Sequence, residues 1–177
     1  STNVLKSMDK GVRAIDNVKL LKYGYLYGII IDYNFLYGLP DDKPEDYQRM
    51  TELIPRIYHL TPPVSRTQTV VTKFAPLQMN PERFGIKTKA IHHRSYDIMF
   101  SQSYMERCGL NLDDYAYYYE RNFDYDEKLE IFYSQLTIQI DNWKKIHQNN
   151  FVELSYSSHD GNYHFVDTRY NSIEEYF

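Results

Sequence analysis

Residues 28–47 read Gly28-Ile29-Ile30-Ile31-Asp32-Tyr33-Asn34-Phe35-Leu36-Tyr37-Gly38-Leu39-Pro40-Asp41-Asp42-Lys43-Pro44-Glu45-Asp46-Tyr47. The first nine residues after Gly28 are β-branched, aromatic or aliphatic with two polar interruptions. That composition predicts a strand over Ile29–Leu36 buried on both faces, as in a parallel sheet. Tyr37 to Asp42 then reads as a loop. Pro44 suits the first turn of a helix, and Glu45 and Asp46 suit its positive end.

Upstream, Ile15, Val18, Leu21, Tyr25 and Leu26 recur at helical spacing, so a helix is predicted from about Val12 to Tyr27, stopped by Gly28. A shorter helical turn covers Asn3 to Asp9. Downstream, Tyr47, Met50, Leu53, Ile54 and Ile57 fall on one side of the helix that opens at Pro44. Pro55 should kink it, and Thr61-Pro62-Pro63 should end it. Thr69 to Ala75 reads as a second strand. Helix, strand, helix, strand in that order implies a parallel sheet with right-handed crossovers.

After Pro76 the pattern changes. Asn80 to Gly85 forms a capped helical turn, and Lys87 to Ser103 reads either way. Asn111 to Asn122 is predicted helical and acidic, with the cluster Tyr117-Tyr118-Tyr119. Leu129, Phe132, Tyr133, Leu136, Ile140 and Trp143 mark a long helix over about Asp126 to His147. Phe151–Tyr156 and Tyr163–Thr168 form a hairpin around His159-Asp160-Gly161-Asn162. The expected fold class is therefore α/β followed by α+β, with 1–78 and 79–177 as the two domains. The chain opens on Ser1-Thr2-Asn3 without Met. The helix-opening signal Ser172-Ile173-Glu174-Glu175 lies two residues from its end. Both features are read as those of a piece of a longer protein.

Composition limits the functions available. The chain has 177 residues, 20 Lys+Arg against 24 Asp+Glu, and a net charge of −4. A general basic nucleic-acid surface is disfavoured. Mean hydropathy is −0.62, and no run approaches the roughly 20 apolar residues of a membrane helix. Neither a leader nor a membrane anchor is apparent, so a cytoplasmic location is expected. Cys108 is the single cysteine. It excludes an internal disulfide and a self-contained iron–sulfur cluster. Nineteen tyrosines suit half-buried faces, interfaces and clefts.

Asp32 and Asn34 share a strand face with Leu36. They either line a ligand-binding mouth at the strand's end or satisfy neighbouring backbone groups. Gly38 permits close backbone approach or simply turns the chain. The six histidines show no metal-ligand spacing, and no metal site is expected. The acidic run Asp113, Asp114, Glu120, Asp124, Asp126, Glu127 and Glu130 is either a solvated face or a surface for a basic peptide.

Several motifs in order resemble one family. Ser1-Thr2-Asn3-Val4-Leu5-Lys6-Ser7-Met8-Asp9-Lys10-Gly11-Val12 resembles the segment after the fourth barrel strand of radical S-adenosylmethionine (SAM) enzymes. Tyr33-Asn34-Phe35-Leu36-Tyr37-Gly38-Leu39-Pro40 is similar to the W-N-x-L-Y-G-F-P of the cobalamin-binding-domain members that mature ribosomally synthesised peptides. Pro44-Glu45-Asp46-Tyr47, His59-Leu60 with Pro62-Pro63, Phe74-Ala75-Pro76, Pro81-Glu82-Arg83-Phe84-Gly85, Trp143-Lys144 and Asp167-Thr168-Arg169 follow in family order. The departures are Asp41-Asp42-Lys43 in place of a G-E-T turn, Tyr33 for Trp and Ala75 for Ser.

The resemblance implies the last strands of a partial radical SAM (β/α) barrel, followed by an α+β domain with an antiparallel hairpin. It implies a parent iron–sulfur enzyme using a [4Fe–4S] cluster, S-adenosylmethionine and cobalamin to modify a ribosomal peptide, for instance by C-methylation. By carry-over, Ser1, Thr2, Asn34, Phe35, Leu36, Gly38, Phe74 and Pro76 would face the SAM cofactor. With one cysteine the fragment alone would bind no cofactor and be inactive. Its expected partners are the rest of its parent chain and a precursor peptide, with dimerisation through exposed sheet edges. A peptide strand would add to Val152–Tyr156 or Tyr163–Thr168. The rival readings are a non-catalytic peptide-binding scaffold derived from such an enzyme, and a cobalamin radical SAM enzyme acting on a small molecule.

Overall fold

The computed structural model describes residues 1–123, 126–170 and 174–176. The chain is mixed α/β with small sheets of two, two and three strands. It sorts into two compact units. Unit 1 comprises residues 1–37, 42–67 and 127–177, and unit 2 comprises 38–41 and 68–126.

In unit 1, α1 (Thr2–Ser7) is capped by the Ser1 hydroxyl, and α2 (Ala14–Leu26) follows. The predicted strand over Ile29–Leu36 is only partly formed: β1 is Asn34–Tyr37. The reason is the end of α2. Gly28 takes φ +67°, the Ile29 N–H donates to the Gly24 carbonyl at 2.8 Å and the Gly28 N–H to that of Tyr25 at 3.4 Å. This is a Schellman closure, and it uses the Ile29 N–H that a strand would have offered a neighbour. Ile29 and Ile30 end up exposed, as do Ile15, Tyr25 and Leu26 on α2, where Leu21 and Gly24 are buried. Among the described residues β1 pairs with β2 (Ser65–Gln68) alone, so the alternation of helix and strand builds a two-stranded sheet rather than the expected larger parallel one.

The next helix, α3 (Pro44–Leu53), starts at its proline and buries Asp46, Tyr47 and Met50. Pro55 does not kink it. The chain tightens instead into a 3-10 turn over Ile54–Ile57, because proline offers no N–H to an α-helical ladder.

The long helix of unit 1 spans Leu129–Asn149. Leu129, Tyr133, Leu136, Ile140 and Trp143 are its buried stripe, spaced alternately by four and three residues. The C-terminal hairpin pairs Leu154–His159 with Asn162–Asp167 in antiparallel register from Leu154↔Asp167 to His159↔Asn162. Asp160 and Gly161 take positive φ of 48° and 80°, the geometry that an Asp-Gly turn accepts readily. A third strand, Glu174–Tyr176, pairs with Asn162–Asp167. The helix expected to open at Ser172 is replaced by that strand from Glu174 onward; Ser172 and Ile173 lie outside the described residues. The predicted open edge at Tyr163–Thr168 is likewise corrected, since its strand is the central one of three.

In unit 2, Thr69–Ala75 is not one strand. Only β3 (Val71–Thr72) forms, after which Phe74 turns left-handed at φ +66° and Pro76 begins α4 (Pro76–Met79). The predicted turn at Asn80–Gly85 is a 3-10 helix over Pro81–Phe84 closed by left-handed Gly85. The ambiguous stretch contains α5 (Ser95–Met99) and runs into α6 (Gln102–Cys108).

The helix expected over Asn111–Asn122 is cut to α7 (Leu112–Tyr115), because Tyr118–Tyr119 becomes β4 and pairs antiparallel with β3. Alternation then puts Tyr119 in the core of unit 2 and turns Tyr118 outward, and Tyr117, ahead of the strand, is exposed as well. Within the acidic run the Glu120 carboxylate accepts from the Arg94 N–H, and Lys73 Nζ donates to the backbone carbonyls of Asp113 and Asp114. Asp124 lies outside the described residues. No described helix is long and apolar enough to cross a membrane.

Candidate functional site

Unit 1 holds a cleft of about 520 Å³, within the size range of small-molecule sites. Helices α1 and α2 form one side through Val4, Leu5, Val18 and Leu21. Residues Ile31 and Tyr33–Leu36 form another, and Met50, Ile54 and Trp143 close it. Ser1, Lys10, Asn17 and Asn34 are the polar exceptions. The lining contains no His, Cys, Asp or Glu. It can hold a largely apolar ligand and orient it through a few polar groups, but it supplies no acid–base pair.

Of the residues predicted to face a cofactor, Ser1, Asn34, Phe35 and Leu36 line this cleft together. Their polar groups also do structural work. Ser1 Oγ donates to Asp46 Oδ1 at 2.6 Å, and the Asn3 amide donates to the same oxygen at 3.0 Å. This ties α1 to the buried first turn of α3. Asn34 Oδ1 accepts from Ser65 Oγ at 2.7 Å, which fastens β1 to β2. Thr2 is absent from the lining; its hydroxyl accepts from the Ala14 N–H at 3.1 Å and caps α2.

Gly38, Phe74 and Pro76 belong to unit 2. Gly38 takes φ +77°, and a Cβ there would come within 3.0 Å of the Arg121 and Gln68 side chains. The carbonyl of Gly38 accepts from Arg121 at 2.9 Å. Close approach is therefore real at Gly38, with side chains of its own unit as the neighbours. Phe74 is 75% exposed, with Lys73 Nζ 5.6 Å from its ring centroid. Asp32, the other polar residue read on β1, is exposed ahead of the strand.

A second feature was invisible in the separate motifs. Several of them converge on the carbonyls of residues 56–64. The Trp143 indole N–H is shared between the carbonyls of Leu60 (2.9 Å) and Tyr58 (3.2 Å). Lys144 Nζ donates to Val64 at 2.6 Å, and His147 Nε2 lies 2.6 Å from the Tyr58 carbonyl. Arg169 grips Asp167 with two nitrogens and donates a third to the Arg56 carbonyl. That grip holds the Asp167 carboxyl below its usual range against the opposing effect of burial. Spacing alone could not reveal this clamp, because backbone carbonyls carry no sequence signature.

His59 sits beside the clamp with its Nδ1 buried and without a hydrogen-bond partner. Burial, together with the positive charge of Arg169, pushes its pKa down from 6.5 to about 4. The native ring therefore stays neutral where the unfolded ring already takes up a proton. Stability is full well above pH 6.5 and should fall as pH drops toward 4, by about 1–2 kcal/mol once solvent screening of the half-exposed ring is counted. Thermal melts at pH 7 and pH 4.5 should show the loss, and His59→Gln should shrink it. An equal acid-side loss in the variant would assign the effect to other groups.

In unit 2, His92 Nε2 lies 3.0 Å from Asp97 Oδ1 and its Nδ1 3.9 Å from Asp113 Oδ1, at a shallow cavity of about 480 Å³. His93 turns to Ser95 instead. No group of three His, Cys, Asp or Glu among the described residues is placed to hold a metal ion.

Comparison with protein families, curated proteins and solved structures gives no match.

Proposed function

We propose that this chain is the C-terminal part of a radical SAM protein that modifies a ribosomally made peptide, and that the unit 1 cleft receives the adenosine portion of S-adenosylmethionine. The observation that carries the reading is that Ser1, Asn34, Phe35 and Leu36, picked out by family motifs more than thirty residues apart in sequence, line one cleft. An adenine ring fits such a lining: it is flat, largely apolar on its faces and polar at its edges. Leu36 would cover one of its faces, and the Asn34 and Asn17 amides would meet its edge. The convergence of Trp143, Lys144 and Arg169 on one backbone segment adds support, because motifs far apart in the chain then serve one structural unit.

The residues of this chain do not fit a [4Fe–4S] cluster. Cys108 is exposed and is the one cysteine present, whereas the cluster needs several thiolates. The cluster, the cobalamin and the reaction itself belong, in this proposal, to the rest of the parent. In the proposal, β1 and β2 are what remains here of the parent's barrel wall. A precursor peptide is the proposed substrate.

Trp143 is the single tryptophan and lines the cleft, so its emission reports occupancy. Titration with S-adenosylmethionine or 5′-deoxyadenosine should give a saturable change. Leu36→Glu should weaken it at least about tenfold, since a buried carboxylate would face the apolar ligand. Unchanged emission, or equal binding by the variant, would overturn the reading.

A further inference from the structure

The open edge of the C-terminal sheet carries an inference independent of the cleft. Number the strands Leu154–His159, Asn162–Asp167 and Glu174–Tyr176 as β5, β6 and β7. Their order makes β5 an edge. The Glu153 carbonyl accepts from the Thr168 N–H at 3.0 Å, and the Glu153 N–H donates to Thr168 Oγ1 at 2.9 Å. Glu153 therefore points its backbone groups toward the β6 side. Alternation then turns the N–H and C=O of Leu154, Tyr156 and Ser158 to the open side. Among the described residues, no strand pairs with them there.

Protected edges usually carry a lysine, a proline, a bulge or an inward charge. β5 reads Leu154-Ser155-Tyr156-Ser157-Ser158-His159, with no acidic residue, Lys, Arg, Pro or Gly. Its outer face is aromatic as well. Tyr156 is 67% exposed, and its ring lies 5.8 Å from that of Phe165 and 6.2 Å from that of Tyr163.

We propose that β5 pairs antiparallel with β5 of a second copy of this chain, about a two-fold axis at Tyr156, joining two three-stranded sheets into one. In that register Tyr156 opposes Tyr156 of the partner subunit, and Leu154 opposes Ser158 of the partner subunit. Every outward-facing residue of β5 then finds a partner within β5. Each such pair exchanges two hydrogen bonds.

The facing side chains agree with this register. Glu153 comes opposite His159 of the partner subunit, a pairing of unlike groups. Moving the axis to Ser157 sets Leu154 against Asp160 of the partner subunit. Moving it to Ser155 leaves Ser158 beyond the facing strand. The contact is isologous and closes on itself, so it ends at a dimer. The two Tyr156 rings meet at the axis and join the aromatic rows of both sheets.

Sedimentation velocity on the full chain tests the proposal. A dimer is expected at protein concentrations up to about 0.1 mM, the range of a moderate interface. Tyr156→Lys places like charges against each other at the axis and should raise the dimer dissociation constant at least about tenfold with an unchanged far-UV circular dichroism spectrum. Opposed residues of a hydrogen-bonded pair have Cα atoms about 5.5 Å apart, within disulfide reach. Tyr156→Cys in a Cys108→Ser background should therefore form a covalent dimer on oxidation. A monomer throughout that range would overturn the proposal. So would a dimer indifferent to Tyr156→Lys and not captured by Tyr156→Cys.

Discussion

Trp143→Ala should cost unit 1 about 3–5 kcal/mol, a large part of the stability of an ordinary domain. The indole is fully buried and stands on the buried stripe of the long helix. Two losses combine. Removing the ring opens a cavity at the closed end of the cleft, and removing its N–H strips a donor from the Tyr58 and Leu60 carbonyls. Trp143→Phe separates the two: it restores most of the apolar volume but not the donor, and should cost about 1–3 kcal/mol. Urea titration followed by circular dichroism gives both numbers. A loss below about 1 kcal/mol for Trp143→Ala would mean that the segment 58–60 is held by something other than the indole.

Asp42→Ala should follow at about 2–4 kcal/mol. Asp42 Oδ2 accepts from the hydroxyls of Tyr47 at 2.6 Å and Tyr133 at 2.9 Å. Tyr47 is fully buried and Tyr133 nearly so, with their rings edge to face at 4.8 Å. Removing the carboxylate leaves two buried hydroxyls short of an acceptor, which costs more than the bonds themselves contributed. Tyr47→Phe or Tyr133→Phe alone should cost about 1 kcal/mol each, because the carboxylate keeps one phenol. The decisive comparison is a cycle. In a Tyr47→Phe, Tyr133→Phe background, Asp42→Ala should lose most of its effect. Full additivity would show that Asp42 matters for another reason. The acid links α3 to the long helix.

The limits of legibility show at particular residues. The polar character of Asn34 was visible, but its partner, the Ser65 hydroxyl, was not: the strand pattern offered only a ligand-binding mouth or neighbouring backbone groups. Tyr117-Tyr118-Tyr119 read as helical because the flanking acids suit a helix. A strand formed because β3 offered a ladder from a distant part of the chain. Tertiary pairing overrode a weak local preference there. The cleft draws on distant segments: Asn34, Phe35 and Leu36 meet Trp143, which comes from a helix more than a hundred residues away.

By itself the sequence determined the elements whose causes are local. The stripe from Leu129 to Trp143 dictated a long helix. Asp160-Gly161 dictated the hairpin turn, and Pro44 the start of α3. In each case the deciding physics is a dihedral preference or a periodicity within one segment. Only the tertiary structure decided that Trp143, Lys144 and Arg169 would meet on the carbonyls of residues 56–64. That outcome depends on backbone groups, which are the same in every residue. Where such a group finds its partner is set by the path of the whole chain.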